Sequence, residues 1–155
     1  MRSLARTVKR ARFMTTQKNK ALIQHFVEAV NQHDWRRFDE LVSPDFVRHS
    51  STFGQASVST RDHLRQYLAA ELRTFPDARE SINFLVAEGD KVAVLSHFYA
   101  TQQGPMGSLA ASGKTLSADF ISIYRLADGR IVEAWVEWDA LNGLIQLGHM
   151  RPPAI

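Results

Sequence analysis

The densest set of groups able to move protons in this sequence is Ile131-Val-Glu-Ala-Trp-Val-Glu-Trp-Asp139. Read as a strand, its odd positions (Ile131, Glu133, Trp135, Glu137 and Asp139) share one face, and Val132, Ala134, Val136 and Trp138 share the other. If the odd face looks into an apolar pocket, a carboxyl lies against Trp135 away from water. Desolvation then raises its pKa and makes it a usable acid or base near neutrality. If the even face packs on the core instead, the three carboxylates meet water, and alternation alone does not choose. His49 follows Phe46 beside a polar loop. It suits a donor to a substrate carbonyl, a proton partner for Asp139, or a plain tie to the neighbouring loop. His97 and Tyr99 share a strand face and either add polar groups to a pocket or sit at its rim. Phe53 and Phe120 are candidate lining aromatics. Asp119 and Ser122 point to opposite faces of their strand, so at most one of them looks inward.

Other chemistries find no foothold. The chain has no cysteine, so disulfides, thiolate metal sites and a cysteine nucleophile are excluded. Its six histidines (25, 33, 49, 63, 97 and 149) are scattered without metal-ligand spacing. Neither a nucleophile elbow nor a P-loop nor a dinucleotide fingerprint is present. No metal and no cofactor are expected. Gly104, Gly107 and Gly113 lie in a loop that lacks the phosphate-binding lysine and serves better as a mobile lid.

The elements that must hold these groups change character midway. Residues 18–32 carry Leu22, Ile23, Phe26, Val27 and Val30 at helical spacing. Asp34 caps a short second helix, and Thr60 caps a third that ends before Pro76. Residues 46–50 read as a short strand and 51–59 as a loop. After Pro76 the period becomes two, giving strands near 78–88, 91–102, 114–126 and 130–139. Glu88-Gly89-Asp90 and Asp128-Gly129 mark hairpin turns. A last short helix runs from Asp139 to Leu147. Helices first and hairpin strands afterwards imply an α+β fold, its helices packed on a curved, mostly antiparallel sheet that leaves a cone open at one end.

The net charge of +3 is unevenly placed: residues 1–20 carry +7 and the remainder −4. The basic character belongs to a tail, 1–17, preceding a single domain, 18–155. The acidic body argues against a nucleic-acid partner. The tail suits a transit-like segment, a short helix packed on the body, or a stretch upstream of a start at Met14. No apolar run approaches the ~20 residues that span a bilayer, so no membrane partner is expected. The cysteine-free composition fits a reducing cytoplasm.

Several short patterns occur in a telling order: Asn31 to Trp35, Pro44 to His49, Phe75-Pro-Asp77, Glu88 to Val94, Ser112-Gly-Lys114, Asp128 to Asp139, and Leu144 to Gly148. Together, over residues 18–148, they resemble the SnoaL-like polyketide cyclases of the NTF2-like superfamily. The resemblance implies a cone-shaped α+β barrel and ring closure by intramolecular aldol chemistry without metal or cofactor. Carried over by position, it puts the catalytic acid on Asp139 and a histidine on His49, with Glu133 and Trp135 shaping the site. It also implies a homodimer through the sheet face, for which the apolar even set with Trp138 is the expected surface.

Two functional readings follow. One is a small acid/base enzyme, cyclase or isomerase in type, acting on an apolar carbonyl compound. The other is a non-catalytic module that binds a small hydrophobic molecule or acts as a dimeric scaffold. An epoxide hydrolase-like reaction ranks lower, because the strand at 91–102 offers no arginine and no internal acid. An exposed Asp139, with no other acid buried, would remove the enzymatic reading.

Overall fold

The structure, a computed structural model, describes residues 15–51 and 58–152. Among these, four helices pack on a five-stranded mixed sheet. The elements are α1 (Thr16–Gln32), α2 (Trp35–Leu41), β1 (Val42–His49), α3 (Arg61–Thr74), β2 (Arg79–Glu88), β3 (Lys91–Thr101), β4 (Thr115–Ala127), β5 (Arg130–Trp138) and α4 (Ala140–Gln146). The strand order is β1-β5-β4-β3-β2. Only β1–β5 is parallel; the other pairs are antiparallel.

Local chemistry explains the boundaries. Thr15, Asp34, Thr60 and Asp139 each turn a side-chain oxygen onto a backbone N–H of the first helical turn, satisfying a donor with no partner inside the helix. Asp128 and Gly129 both have positive φ (50° and 76°), the backbone that a two-residue hairpin turn with native strand twist requires. Ser43-Pro44, expected to end the second helix, instead lies within β1, which begins directly where α2 stops.

Helices α1 and α2 cover the inner face of the sheet. Leu22, Ile23, Phe26 and Val27 of α1 and Phe38 of α2 bury against Val92, Val94, Tyr124, Leu126, Ile131 and Ala134. Burying each such side chain contributes about 1.5–3 kcal/mol. A second cluster at the other end holds Phe75, Ala100, Leu116 and Leu147, with Trp138 packed against it.

Two asparagines fasten α1 along the edge strand. Asn19 donates to the carbonyl of Gly89 (3.0 Å), while Asn31 accepts from the N–H of Glu80 (3.0 Å) and donates to its carbonyl (2.8 Å). The glycine-rich loop is tied down rather than free. The side chain of Gln102, fully buried, donates to the carbonyls of Gly104 and Ala110 and accepts from Ser112. Its amide oxygen also lies 2.7 Å from His149 Nε2. Gln103 and Gly104 donate to the carbonyl of Thr74, whose hydroxyl bonds that of Pro105. That anchoring argues against the mobile lid.

Candidate functional site

Which face of β5 looks inward is decided by a bulge. Opposite Arg125 and Leu126 of β4, strand β5 places Glu133 and Ile131, so Val132 is an extra residue. Ile131 and Ala134 are both buried, and parity reverses between them. Beyond the bulge the even residues Ala134, Val136 and Trp138 turn inward, and Glu133, Trp135 and Glu137 turn outward. This corrects the odd-face-inward reading. It also moves the expected self-association surface, because Trp138 belongs to the interior.

On the outer face His49 stacks on Trp135, with ring centroids 5.2 Å apart, and its Nε2 lies 2.8 Å from Glu133 Oε1. Arg125 Nε donates to the other oxygen of Glu133 at 2.7 Å. The bond from His49, then that from Arg125, holds the Glu133 carboxyl below its ordinary value, so it is a firmly ionised surface group. Glu137 accepts from the N–H and hydroxyl of Ser51. His97 and Tyr99 also lie on the outer face, on β3. Asp139 stands exposed just past β5 and accepts from the N–H of Asn142 at 2.9 Å, capping α4. Phe120 does turn inward, in register between Ser96 and Trp138. Phe53 lies outside the described residues.

The interior carries a different set of acids. Glu80, on the inner side of β2, accepts a 2.7 Å hydrogen bond from the Ser96 hydroxyl. Burial pushes its carboxyl up to about 7, opposed by that bond. Glu71 of α3 is likewise pushed up to about 7, by burial first and by the charge of Glu80 second, with Arg48 pulling the other way. Both glutamates keep some accessible surface. Arg48, buried on β1, stands over the Tyr67 ring with its guanidinium carbon 5.1 Å from the centroid. Burial raises the Tyr67 phenol to about 12 and also raises that of Tyr124, so both stay protonated as donors.

Two carboxyls near neutrality, a fixed guanidinium and two protonated phenols can accept a proton, return it and stabilise an oxyanion. A depression at the β2–β3 turn, lined by Val86, Ala87, Glu88, Lys91, Ala93 and Ile123, carries none of these groups. Among the described residues no group of three or more His, Asp or Glu side chains could hold a metal ion, and no helix is long and apolar enough to cross a membrane.

Residues 20–147 match the family of SnoaL-like polyketide cyclases. The chain belongs to that family. It superposes on AclR from Streptomyces galilaeus, provisionally assigned as a hydroxylase, at TM-score 0.76, with 28% identity over 88% of this chain and 100% of that one. IdmH from Streptomyces antibioticus, provisionally assigned as a polyketide cyclase, gives TM-score 0.74 and 28% identity over 84% and 98%. An LEH-like epoxide hydrolase of M. tuberculosis shares the fold at TM-score 0.69, with 14% identity over 86% of this chain and 92% of that one. No curated protein matches the chain. The SnoaL-like family and these neighbours support a small enzyme of the NTF2-like fold.

For this SnoaL-like chain, sequence reasoning missed Glu71, Glu80, Arg48 and Tyr67. The signals were present. Glu71 falls in line with Leu64, Leu68 and Phe75 on the apolar face of α3. Arg48 has the same parity as buried Phe46, which turns His49 outward. Glu80 was hidden by a second bulge, at Asn83, which puts Glu80 and Ile82 on one face with Leu85 and Ala87.

Proposed function

We propose that the chain is a cofactor-independent acid/base enzyme of cyclase or isomerase type, acting on an apolar carbonyl compound held between the helices and the inner sheet face. The observation that carries this reading is Glu80: an interior carboxyl bonded to Ser96, titrating near neutrality beside a second such carboxyl on Glu71. In this scheme the ionised member of the pair removes a proton next to the substrate carbonyl. Tyr67 or Tyr124 donates to the resulting enolate, and the protonated member returns the proton at the new position. Arg48 keeps the extra negative charge tolerable in a low-dielectric setting. The acid thus moves from Asp139, the residue implied by family resemblance, to the interior pair.

The test is a screen of polyketide-like and steroid-like ketones against the unmodified chain, Glu80→Gln and Asp139→Asn. Turnover that disappears in Glu80→Gln and survives in Asp139→Asn is the expected result. Turnover that survives in Glu80→Gln refutes the assignment, and its loss in Asp139→Asn alone restores the acid at the α4 cap.

A second reading, opening of an epoxide, is favoured by one observation: Glu71, Arg48 and Glu80 form an acid–arginine–acid set, contributed by α3, β1 and β2 rather than by the strand at 91–102. Adding apolar epoxides to the screen separates the two reactions.

The proposal includes self-association as a two-fold dimer in the cytoplasm. Phe84, Val86, Ile121 and Ile123 leave an apolar patch on the outer sheet face, each more than a third exposed. A monomer by light scattering at micromolar concentration would remove it.

A further inference from the structure

The outer sheet face holds a relay that the interior reaction does not use. Asp119 and Ser117, two residues apart on β4, flank His97 of β3. His97 Nδ1 lies 2.6 Å from Asp119 Oδ1, and its Nε2 lies 3.0 Å from Ser117 Oγ. A carboxylate accepts only, so Nδ1 carries the proton, and in the neutral ring Nε2 presents its lone pair to the serine hydroxyl. This is the order of roles by which a base activates a serine: orienting acid, imidazole, nucleophile.

The backbone under the relay is held on both sides. His97 pairs directly with Asp119, and Tyr99 with Ser117. On the other side β5 has ended, and Gln146 of α4 takes its place: Ser117 N donates to Gln146 Oε1 at 2.9 Å, and Gln146 Nε2 donates to Ser117 O at 3.1 Å. A site built on paired strands keeps its geometry better than one on a loop. Ser117 is exposed, and Tyr99 (50% exposed) offers apolar surface beside it on the same face.

We infer that Ser117, His97 and Asp119 form a second, surface site that takes an activated carboxylic ester with a short apolar acyl chain and transfers the acyl group to Ser117. The Ser117 Oγ–acyl bond forms as the bond from acyl carbon to leaving oxygen breaks. The serine proton passes to His97 Nε2 and then to the departing oxygen, while Asp119 stays ionised on Nδ1. Water completes the cycle. It gives a proton to Nε2, its oxygen attacks the acyl carbon, and the carboxylic acid leaves as Ser117 regains its proton. The backbone N–H of Ser117 is already used by Gln146, so it offers no oxyanion donor, which restricts the reaction to esters with good leaving groups.

The full chain is incubated with 4-nitrophenyl acetate, nitrophenolate release is followed, and the acetyl group is located by peptide mass spectrometry. Acetyl on Ser117 is expected, with its loss in Ser117→Ala and a rate lowered by about tenfold or more in Asp119→Asn, where the ring loses its enforced tautomer. Ser117→Cys should retain acylation at the same position, which separates loss of the nucleophile from loss of structure. Acetyl found on lysines or on His97 without Ser117, or an unchanged rate in Ser117→Ala, overturns the inference.

Discussion

Replacing Glu80 with glutamine removes a charge that the folded chain accommodates poorly, and the effect must depend on pH in a defined direction. The Glu80 carboxyl is raised from 4.5 to about 7 on folding, chiefly by burial. The folded state therefore holds its proton more tightly than the unfolded state. The contribution of this proton to stability is full below pH 4.5. It is lost as the pH rises through about 7, where the folded chain must ionise an interior acid. At 1.36 kcal/mol per pKa unit, the loss amounts to about 3 kcal/mol above pH 8. Glutamine has nearly the same shape, can accept from Ser96 and cannot ionise. Urea unfolding of both proteins at pH 5 and pH 8.5 is the assay. Near pH 5 the two should differ little; at pH 8.5 Glu80→Gln should be more stable by up to about 3 kcal/mol. Glu71 titrates in the same window and persists in both proteins, so taking the difference between them removes most of its effect. Release of Glu71 from the charge of Glu80 acts in the same direction as the gain. The depressed carboxyls Asp77, Asp90 and Glu133 act at the acid end, below the pH 5 reference. A stability difference that does not change between pH 5 and 8.5 refutes the claim that Glu80 is an interior acid. Such an invariant difference would also remove the main support for the proposed chemistry.

Two structural predictions accompany it. Asp139→Ala removes the cap of α4 and should lower stability by about 1 kcal/mol, read as a downward shift of the thermal midpoint; no shift would mean that the cap bond to Asn142 contributes nothing in solution. At Gly104 an added Cβ would stand against the backbone carbonyl of Arg73, which cannot swing aside as a side chain can. Gly104→Ala should therefore cost about 2 kcal/mol or more and loosen the loop from α3, visible as faster amide exchange at Gln103. Unchanged exchange would show that the loop is held elsewhere.

Much of the architecture was written in local sequence. Asp34 and Thr60 cap the helices that their spacing predicts, and Asp128-Gly129 closes the hairpin that its φ preferences require. The order of short patterns from Asn31 to Gly148 was enough to indicate the family and its fold. Such features depend on neighbours within a few residues, where backbone preference and side-chain type act directly.

The site was less legible, because it rests on which way each strand faces. The inner face of β5 is set by the extra residue Val132, and that of β2 by Asn83; neither bulge has a signature in the alternation it interrupts. From sequence, Glu133, Trp135 and Asp139 formed the richest cluster of acids beside an aromatic. In the fold Glu133 is paired with Arg125 and His49 in water, and Asp139 caps a helix. Only the tertiary structure brings Glu71, Glu80 and Arg48 to one interior from α3, β2 and β1, elements separated by up to some thirty residues of chain. Burial depends on what covers a face, and that covering comes from distant parts of the sequence. Residue types and spacing determined that this chain holds side chains suited to acid/base chemistry; the packing of helices on a bulged sheet decided which acids are withdrawn from water.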